Sequence, residues 1–338
     1  MHVGLHDTSN YPSYFLISVS TRENLDLCIR HGLAGFPSGE NGAWTFCEIE
    51  CGDFVSFLYG ARVFNLYRVT EREAVSDAEF LPPWKLLTFR ETGKTYSFPF
   101  RLHLQPVREL AESLVKAEFS YVGENLLLRG GYRKTHFQAD QTTLQSVSEM
   151  GTRAEGSVAP LSLPAYTTFT LRFTRTQALL RTPETCRFKE PILQSAIRRH
   201  LMCADNLPTL LAGLNVPPSV ADALEILGEK ALPQGHIDLL LKPRVPLGST
   251  MKIPIEVKTS RAQPEDVTQL RGYMDELRED CPLGLLVAGD FSKRAVDKAA
   301  DPGITLVRYT LNSDLRKTPT FDEIWRGLTL EPLGKQGR

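Results

Sequence analysis

The first half of the chain consists of short apolar runs separated by glycine, proline and asparagine. Runs of this length with such boundaries predict β-strands. We expect four of them, at residues 14–19, 53–60, 63–69 and 98–104. One helix is expected to interrupt them over residues 23–31, with Gly32 as its stop. Several short strands with few helices predict a small β-barrel.

After Pro183 the pattern changes to alternating helices and strands. We expect helices over residues 189–202, 264–278 and 292–300, and strands over residues 236–242, 252–258, 283–289 and 304–309. That order predicts an α/β domain. A further amphipathic helix around Trp325 is expected to dock on it. A length of 338 residues also favours two domains, which we place at 1–155 and 184–330, with a linker or basic joint at 156–183.

The composition is that of an ordinary globular protein. Hydrophobic residues make up 42% and charged residues 23%, which argues against disorder and coiled-coil rods. No apolar run approaches the roughly 20 residues of a membrane-spanning helix. The six cysteines are scattered without a CxxC pair, so we expect reduced thiols and no structural zinc. A cytoplasmic protein without a membrane partner is therefore expected.

Basic residues are concentrated in the middle of the chain. The net charge is −1, but residues 129–199 contain eleven Lys and Arg against five Asp and Glu. Such a segment suits phosphate binding, since cationic side chains release the counterions of nucleic acids. It equally suits a solvated linker. Arg133 and Lys134, close to Gly130 and Gly131, are the candidate phosphate-binding residues.

Acidic residues interrupt two apolar strands of the second half. Asp238 lies within one strand, and Glu256 and Lys258 are two apart on another, so the latter two share a face. If the strands pair, the three side chains converge. Carboxylate oxygens are suitable Mg²⁺ ligands. A nearby ammonium can orient or deprotonate an attacking water and neutralise charge on a phosphoryl group. The pattern therefore predicts metal-assisted phosphodiester hydrolysis.

The order of these motifs resembles the PD-(D/E)XK nuclease core. Its pieces are GHIDLLLK, then PIEVK, then QLRGY on the following helix, preceded by FKEPILQSAI. The resemblance covers residues 188–309 and implies an α/β core with a central mixed sheet and a Mg²⁺ or Mn²⁺ cofactor. It assigns Glu190, Asp238 and Glu256 as metal ligands, and adds Lys258 and Gln269, which is followed by Tyr273, as catalytic residues. A catalytically inactive copy of this core is the competing interpretation.

The first half resembles the EVE and YTH group of PUA-like domains over residues 14–144. Its marks are the opening strand YFLISV, the Gly-Asp pair in CGDFVSFLYG, and the strand FPFRLHL. The resemblance implies a small β-barrel with flanking helices that reads a modified base. It places edge-reading groups at Ser18, Ser20 and Asn24 and a cage aromatic at Trp84. Many relatives have Trp where this chain has Ala34, with Phe36 as the nearest aromatic substitute.

Together the two resemblances imply an α+β protein of two domains that resembles type IV, modification-dependent restriction endonucleases. The expected partner is double-stranded DNA carrying a flipped, modified base. Because one active site cuts one strand, a double-strand break requires a homodimer or two binding events. The alternatives are a repair nuclease for mismatched, damaged or branched DNA, and a non-catalytic reader of modified DNA or RNA.

Overall fold

The computed structural model describes residues 11–60, 62–88, 93–110, 114–115, 135–232, 235–248, 250–300 and 302–334. The chain forms two compact units, and the division falls between Phe188 and Lys189. The N-terminal unit comprises two segments, Pro12–Phe188 and Leu315–Phe321. The C-terminal unit comprises Lys189–Asp314 and Asp322–Arg338, and Tyr11 belongs to it. No helix in the described part of the chain is long and apolar enough to cross a membrane.

The N-terminal unit contains three α-helices and twelve strands among its described residues. The helices are α1 (Arg22–His31), α2 (Glu40–Glu48) and α3 (Gln141–Glu149). The strands are β1 (Tyr14–Ser18), β2 (Leu33–Phe36), β3 (Phe54–Tyr59), β4 (Arg62–Ala74), β5 (Leu87–Thr88), β6 (Thr95–Tyr96), β7 (Phe100–Glu109), β8 (Leu114–Val115), β9 (His136–Ala139), β10 (Thr152–Arg153), β11 (Arg172–Thr174) and β12 (Thr185–Arg187).

The main sheet of this unit is mixed and has eight strands among the described residues. Its path runs β10–β7–β4–β3–β1–β9, with β2 also on β7 and β8 on β4. β1 and β3 are parallel and the other pairs are antiparallel. The expected small barrel is corrected here, because closure requires the two edges to pair. Among the described strands, β9 pairs with β1 and none joins it to β2 or β10.

The segment expected as a linker, residues 156–183, runs along the N-terminal unit. Main-chain hydrogen bonds connect this segment to the rest of the unit. The Ala159 N–H donates to Arg30 O at 2.9 Å, and the Phe169 N–H donates to Ala74 O at 2.8 Å. Further on, β11 and β12 form a small parallel sheet. These bonds satisfy backbone groups that a free linker leaves to water. The sequence shows only the irregular composition of the segment and not its partners.

The C-terminal unit consists of one sheet with helices. Its α-helices are α4 (Glu190–Leu201), α5 (Asn206–Gly213), α6 (Pro264–Leu277), α7 (Lys293–Lys298) and α8 (Phe321–Arg326). The first residue of α8, Phe321, is the last residue of the N-terminal unit. Its strands are β13 (Leu224–Leu232), β14 (Gly235–Pro243), β15 (Ile253–Lys258), β16 (Gly284–Ala288), β17 (Ile304–Leu311) and β18 (Leu328–Pro332).

The sheet of the C-terminal unit is mixed and follows chain order from β13 to β18. The pairs β15–β16 and β16–β17 are parallel, and the outer pairs are antiparallel. The helices α6 and α7 pack on it through an apolar cluster that includes Leu270, Met274, Leu286 and Ala295. The parallel centre is buried and hydrophobic, as parallel strands require. Its carboxyl edge carries the polar residues described below.

The elements expected in each half are present with shifts of one to several residues at their ends. The helix at 22–31 ends at Gly32, which is left-handed with φ 56°, as its role of stop requires. The sequence missed α2, where Trp44 and Thr45 are buried without a simple apolar stripe. It also missed the outermost strands β13 and β18 of the C-terminal sheet. Their stability comes from pairing with β14 and β17, which local composition does not encode.

Candidate active site

The strands β14 and β15 bring two acidic residues together. Their antiparallel ladder ends at Leu239 and Ile255, and continuing this register sets Asp238 across from Glu256. Asp238 Oδ2 accepts a hydrogen bond from the Val257 backbone N–H at 2.7 Å. A side chain thus links the two strands beyond the last main-chain pair. The convergence expected from the sequence is present.

The ammonium of Lys258 lies among carboxylates. Its Nζ is 2.8 Å from Glu256 Oε1, 3.7 Å from Asp266 Oδ1 and 3.8 Å from Glu190 Oε1. Burial by itself lowers the pKa of Lys258, but the neighbouring Glu256, Glu190 and Asp238 outweigh it and raise that pKa above its ordinary value. The amine therefore stays protonated at neutral pH.

Glu256 is the most deeply buried member of the site. Only 1% of the residue is exposed, and within the described residues its Oε2 has no hydrogen-bond partner. Burial raises the pKa of Glu256 to about 7; Lys258 opposes this shift, and Glu190 and Asp266 add to it. Burial and the adjacent Glu256 also raise the pKa of Asp238 well above its ordinary value. Two neighbouring carboxylates therefore resist ionising together.

Glu190 reaches the site from the first residue of α4. Pro191 follows it, and proline suits the first turn of a helix because its missing N–H has no partner there anyway. A carboxylate in this turn also interacts favourably with the helix dipole. The Glu190 side chain is 34% exposed, so it joins the site from its solvent side.

Gln269 is paired with Tyr273 one turn further along α6. Gln269 Nε2 donates to the Tyr273 hydroxyl at 2.7 Å, and Tyr273 is 2% exposed. Gly235, at the start of β14, lies against the same ring. A Cβ on Gly235 would lie 2.8 Å from the Tyr273 hydroxyl oxygen, and its φ is +154°. The glycine therefore permits the close approach of β14 and α6 beside the site.

Replacing Gly235 by alanine is expected to destabilise the protein by about 2 kcal/mol, through backbone strain and displacement of the buried Tyr273. Gly248→Ala is the matched control, because Gly248 also has a positive φ but its Cβ would meet nothing within 4 Å. Urea denaturation of both variants measures the difference. Equal losses for the two variants would show that the contact with Tyr273 is unimportant.

The acidic side chains fit a divalent cation. Within the described part of the chain, no three His, Cys, Asp or Glu side chains already form a metal-binding cluster, since the carboxylates surround the Lys258 ammonium instead. The unpartnered, buried Oε2 of Glu256 and the raised pKa values of Asp238 and Glu256 both mark a place where positive charge is favourable. Hard oxygen donors of this kind suit Mg²⁺ or Mn²⁺.

In the N-terminal unit, three of the predicted base-reading residues lie in one strand-to-helix turn. Ser18 ends β1, and its backbone N–H donates to Thr135 O at 3.0 Å. Thr21 caps α1 by accepting the Asn24 backbone N–H at 3.1 Å. Ser20 is exposed, and Ser18 and Asn24 are partly exposed. Their assignment as edge-reading groups stays a prediction.

The two predicted cage aromatics lie in the packed interior. Phe36 is 1% and Trp84 is 6% exposed, and Ala34 is also buried. The Trp84 ring covers Gly35 so closely that a Cβ there would lie 2.5 Å from it, and the Arg101 guanidinium lies 5.5 Å from its ring centre. Both aromatics must therefore move before they can hold a base between them.

The basic segment is only partly available to phosphate. Arg198 and Arg199, on α4, are 1% and 6% exposed, so their charges are directed into the fold. Arg172 donates to Thr318 O at 2.8 Å and is exposed. The phosphate-binding candidates Arg133 and Lys134 lie outside the described residues.

Asp266 belongs to the site and was not singled out from the sequence. It is the third residue of α6, where an aspartate is usually interpreted as a helix cap. The available signal is its spacing from Gln269 and Tyr273, since residues i, i+3 and i+7 share one face of a helix. That spacing alone does not show that the face meets Lys258.

No protein-family model matches the chain, and no curated protein matches its sequence. Several solved structures show weak similarity, among them the following three. The YTH domain of Zygosaccharomyces rouxii MRB1, in complex with N6-methyladenosine RNA, is 11% identical over 44% of this chain and 95% of that one, with a TM-score of 0.28. A repair endonuclease from Pyrococcus abyssi is 20% identical over 30% of this chain, with a TM-score of 0.22. The DNA modification-dependent restriction endonuclease AspBHI is 17% identical over 83% of this chain and 73% of that one, with a TM-score of 0.22.

The chain matches 44% of the length of the repair endonuclease. Two of these three structures are endonucleases, and the third is a domain bound to methylated RNA. Their TM-scores are too low for a shared fold to be inferred. We therefore base the function of this protein on the residues of the site.

Proposed function

We propose that the protein is a metal-dependent endodeoxyribonuclease that cuts double-stranded DNA carrying a modified base. The observation that carries the proposal is the convergence of Glu190, Asp238 and Glu256 around Lys258, with one buried carboxylate oxygen of Glu256 left without a partner in the described part. A purely structural ion pair explains this arrangement poorly, because burying several like charges costs more free energy than a single ammonium returns.

In the proposed site, Glu190, Asp238 and Glu256 hold Mg²⁺ or Mn²⁺. When bound, this cation supplies Lewis-acid stabilisation of the charge that develops on the phosphoryl oxygens. Asp238 is oriented for this task by the Val257 N–H, and Glu256 is fixed by burial. Preorganised groups of this kind need no reorganisation during the reaction.

Lys258 serves as a fixed positive charge beside the scissile phosphate. Of the two tasks open to an amine at this position, orienting or deprotonating the water, the first is favoured, because Lys258 Nζ lies 2.8 Å from Glu256 Oε1 as the ammonium of an ion pair. A protonated amine donates hydrogen bonds and cannot accept a proton. Lys258 therefore orients water and stabilises the negatively charged phosphorane.

The N-terminal unit is proposed to select the target. Ser18, Ser20 and Asn24 offer exposed or partly exposed polar groups from one turn, as reading the edge of an unstacked base requires. Phe36 and Trp84 form the base pocket after a rearrangement of their packing. Arg133 and Lys134 bind the phosphate backbone, and a homodimer supplies the second active site for a double-strand break.

The test is cleavage of a matched set of duplexes with Mg²⁺ or Mn²⁺. The duplexes are unmodified or carry methylated, hydroxymethylated or glucosylated bases. We expect cleavage of one modified duplex and at most weak cutting of the unmodified one. Replacing Ser18, Ser20 and Asn24 together by alanine is expected to reduce that preference by about tenfold or more, since each lost base contact costs roughly 1 kcal/mol or more.

Equal cutting of modified and unmodified DNA would contradict selection by the N-terminal unit. Preference for mismatched or branched DNA would instead identify a repair nuclease, and preference for RNA would identify a ribonuclease. Binding of modified DNA without cleavage under any metal condition would identify a reader that has lost its activity.

A further inference from the structure

The carboxylate of Asp266 faces Lys258 from a different element than the other acidic groups do. Glu256 and Asp238 come from β15 and β14, and Glu190 comes from α4. Asp266 is the third residue of α6, and its Oδ1 lies 3.7 Å from Lys258 Nζ. The Asp266 side chain is 18% exposed, so this ion pair is partly shielded from water.

The second carboxylate oxygen of Asp266 is already engaged. Asp266 Oδ2 accepts the Gln263 backbone N–H at 2.7 Å. In return, the Gln263 side chain accepts the backbone N–H of Asp266, which completes a capping box at the start of α6. This reciprocal pair fixes the orientation of the carboxylate and leaves Oδ1 directed at the ammonium. Asp266 is therefore anchored by the helix end and not by the strands.

The proposed metal ligands and Lys258 compete for the same oxygen atoms. Glu256 Oε1 is 2.8 Å from Lys258 Nζ and Glu190 Oε1 is 3.8 Å from it, and both residues belong to the proposed ligand set. A carboxylate that turns towards a divalent cation loses part of its interaction with the ammonium, which is then also repelled by the cation. Lys258 needs a counter-charge outside the ligand set to remain in place.

We propose that Asp266 is a positioning residue that retains Lys258 in the active site when the cation is bound. This inference rests on the proposed nuclease function and assigns a role to a residue outside the recognised motif. The charge of Asp266 holds the Lys258 ammonium, and the capping box holds the Asp266 side chain in position. It contacts neither the cation nor the scissile phosphate in this role.

Asp266→Asn is the informative variant. Its side-chain oxygen can still accept the Gln263 N–H, so the cap is retained while the charge facing Lys258 is lost. Asp275→Asn is the matched control, because it removes the same charge from an exposed position on the same helix. We expect Asp266→Asn to lower kcat by about tenfold with little change in KM for DNA, as misplacement of a catalytic group does. In Asp266→Asn, the Mg²⁺ concentration that gives the half-maximal rate should differ from that of the wild type by less than about twofold.

A wild-type rate in Asp266→Asn, or an equal loss in Asp275→Asn, would overturn the proposal. A large rise in the Mg²⁺ requirement would also overturn it, because Asp266 would then be a metal ligand. Replacing Asp266 by glutamate, which keeps the charge on a longer side chain, is expected to recover part of kcat. If kcat does not recover in Asp266→Glu, and Asp266→Asn and Asp266→Glu both lose much thermal stability, the role of Asp266 is only to stabilise the fold.

Crystal structures of the wild type and Asp266→Asn with Mg²⁺ give a readout that does not need activity. We expect Lys258 Nζ to stay beside Asp266 in the wild type and to move away from the carboxylates in the variant. If the wild type cuts no substrate, the nuclease proposal fails, and the crystal structures still decide whether Asp266 holds Lys258. If the wild type cuts DNA and Lys258 keeps its place in the variant, the Asp266 proposal alone fails.

Discussion

Replacing Asp238 by asparagine is expected to lower the cleavage rate on the preferred duplex by about a thousandfold, because the Lewis-acid contribution of a bound cation is worth several kcal/mol. Asparagine can still accept the hydrogen bond that Asp238 takes from the Val257 N–H, so the end of the β14–β15 ladder is kept. What is lost is the negative charge on the proposed metal ligand. Single-turnover cleavage with saturating enzyme measures the effect on the chemical step.

The variant should still bind the modified duplex, which fluorescence anisotropy can measure. Asp290→Asn is the matched control, since Asp290 forms an exposed ion pair with Arg261 in the same unit, and its cleavage rate should match that of the wild type. A rate for Asp238→Asn within tenfold of the wild type would remove Asp238 from the active site. The proposed catalytic set would then have to be abandoned.

The metal-free protein is expected to lose stability as the pH rises from about 5 to about 8. The pKa of Glu256 is raised from its ordinary value of 4.5 to about 7 in the folded state, chiefly by burial. The folded protein therefore binds a proton at Glu256 more tightly than the unfolded chain does. The resulting stabilisation is fully present below the pKa of Glu256 in the unfolded chain and is lost as the pH rises through its pKa in the folded protein. At about 1.4 kcal/mol per pKa unit, the loss is roughly 3 kcal/mol as an upper bound.

The raised pKa of Asp238 acts in the same direction. The raised pKa of Lys258 acts only above pH 9, where its ordinary and shifted values lie, and therefore leaves this window unaffected. Mg²⁺ should reverse the trend, because cation binding requires ionised carboxylates and so stabilises the protein more at about pH 8 than at about pH 5.

Urea denaturation in EDTA at a series of pH values tests this expectation. Glu256→Gln should flatten the pH dependence and lose most of the stabilisation by Mg²⁺. The exposed Asp290→Asn should change neither. A wild-type stability that rises between pH 5 and pH 8 without metal would show that the Glu256 carboxylate is not held in an environment that disfavours its charge.

The local elements of both units follow from the sequence because their signals are local. Gly32 ends α1 with a left-handed backbone, and Pro191 and Pro264 stand in the first turns of α4 and α6. The edge strands β13 and β18 and the helix α2 were not predicted, nor were the strands β2 and β9 and the helices α3 and α5. The edge strands depend on partners distant in the chain, and α2 is buried over most of its surface, so neither shows a simple period.

The barrel shows the same limit at a larger scale. Strand patterns do not state which edges pair, and the described strands of the N-terminal unit form an open sheet. The irregular composition of residues 156–183 predicts a connection between domains. Main-chain hydrogen bonds join this segment to Arg30 and Ala74, and nothing in its composition encodes those partners.

The sequence alone determined the order of Glu190, Asp238, Glu256 and Lys258 along the chain and predicted strand positions for the last three. Spacing by two sets Glu256 and Lys258 on one face, Asp238 interrupts an apolar strand, and the recognised motif adds Glu190. Only the tertiary structure decided the electrostatics, because desolvation depends on what surrounds a side chain and not on its neighbours in the chain. It buried Glu256, kept Lys258 protonated and brought Asp266 from the end of a helix to within 3.7 Å of that ammonium.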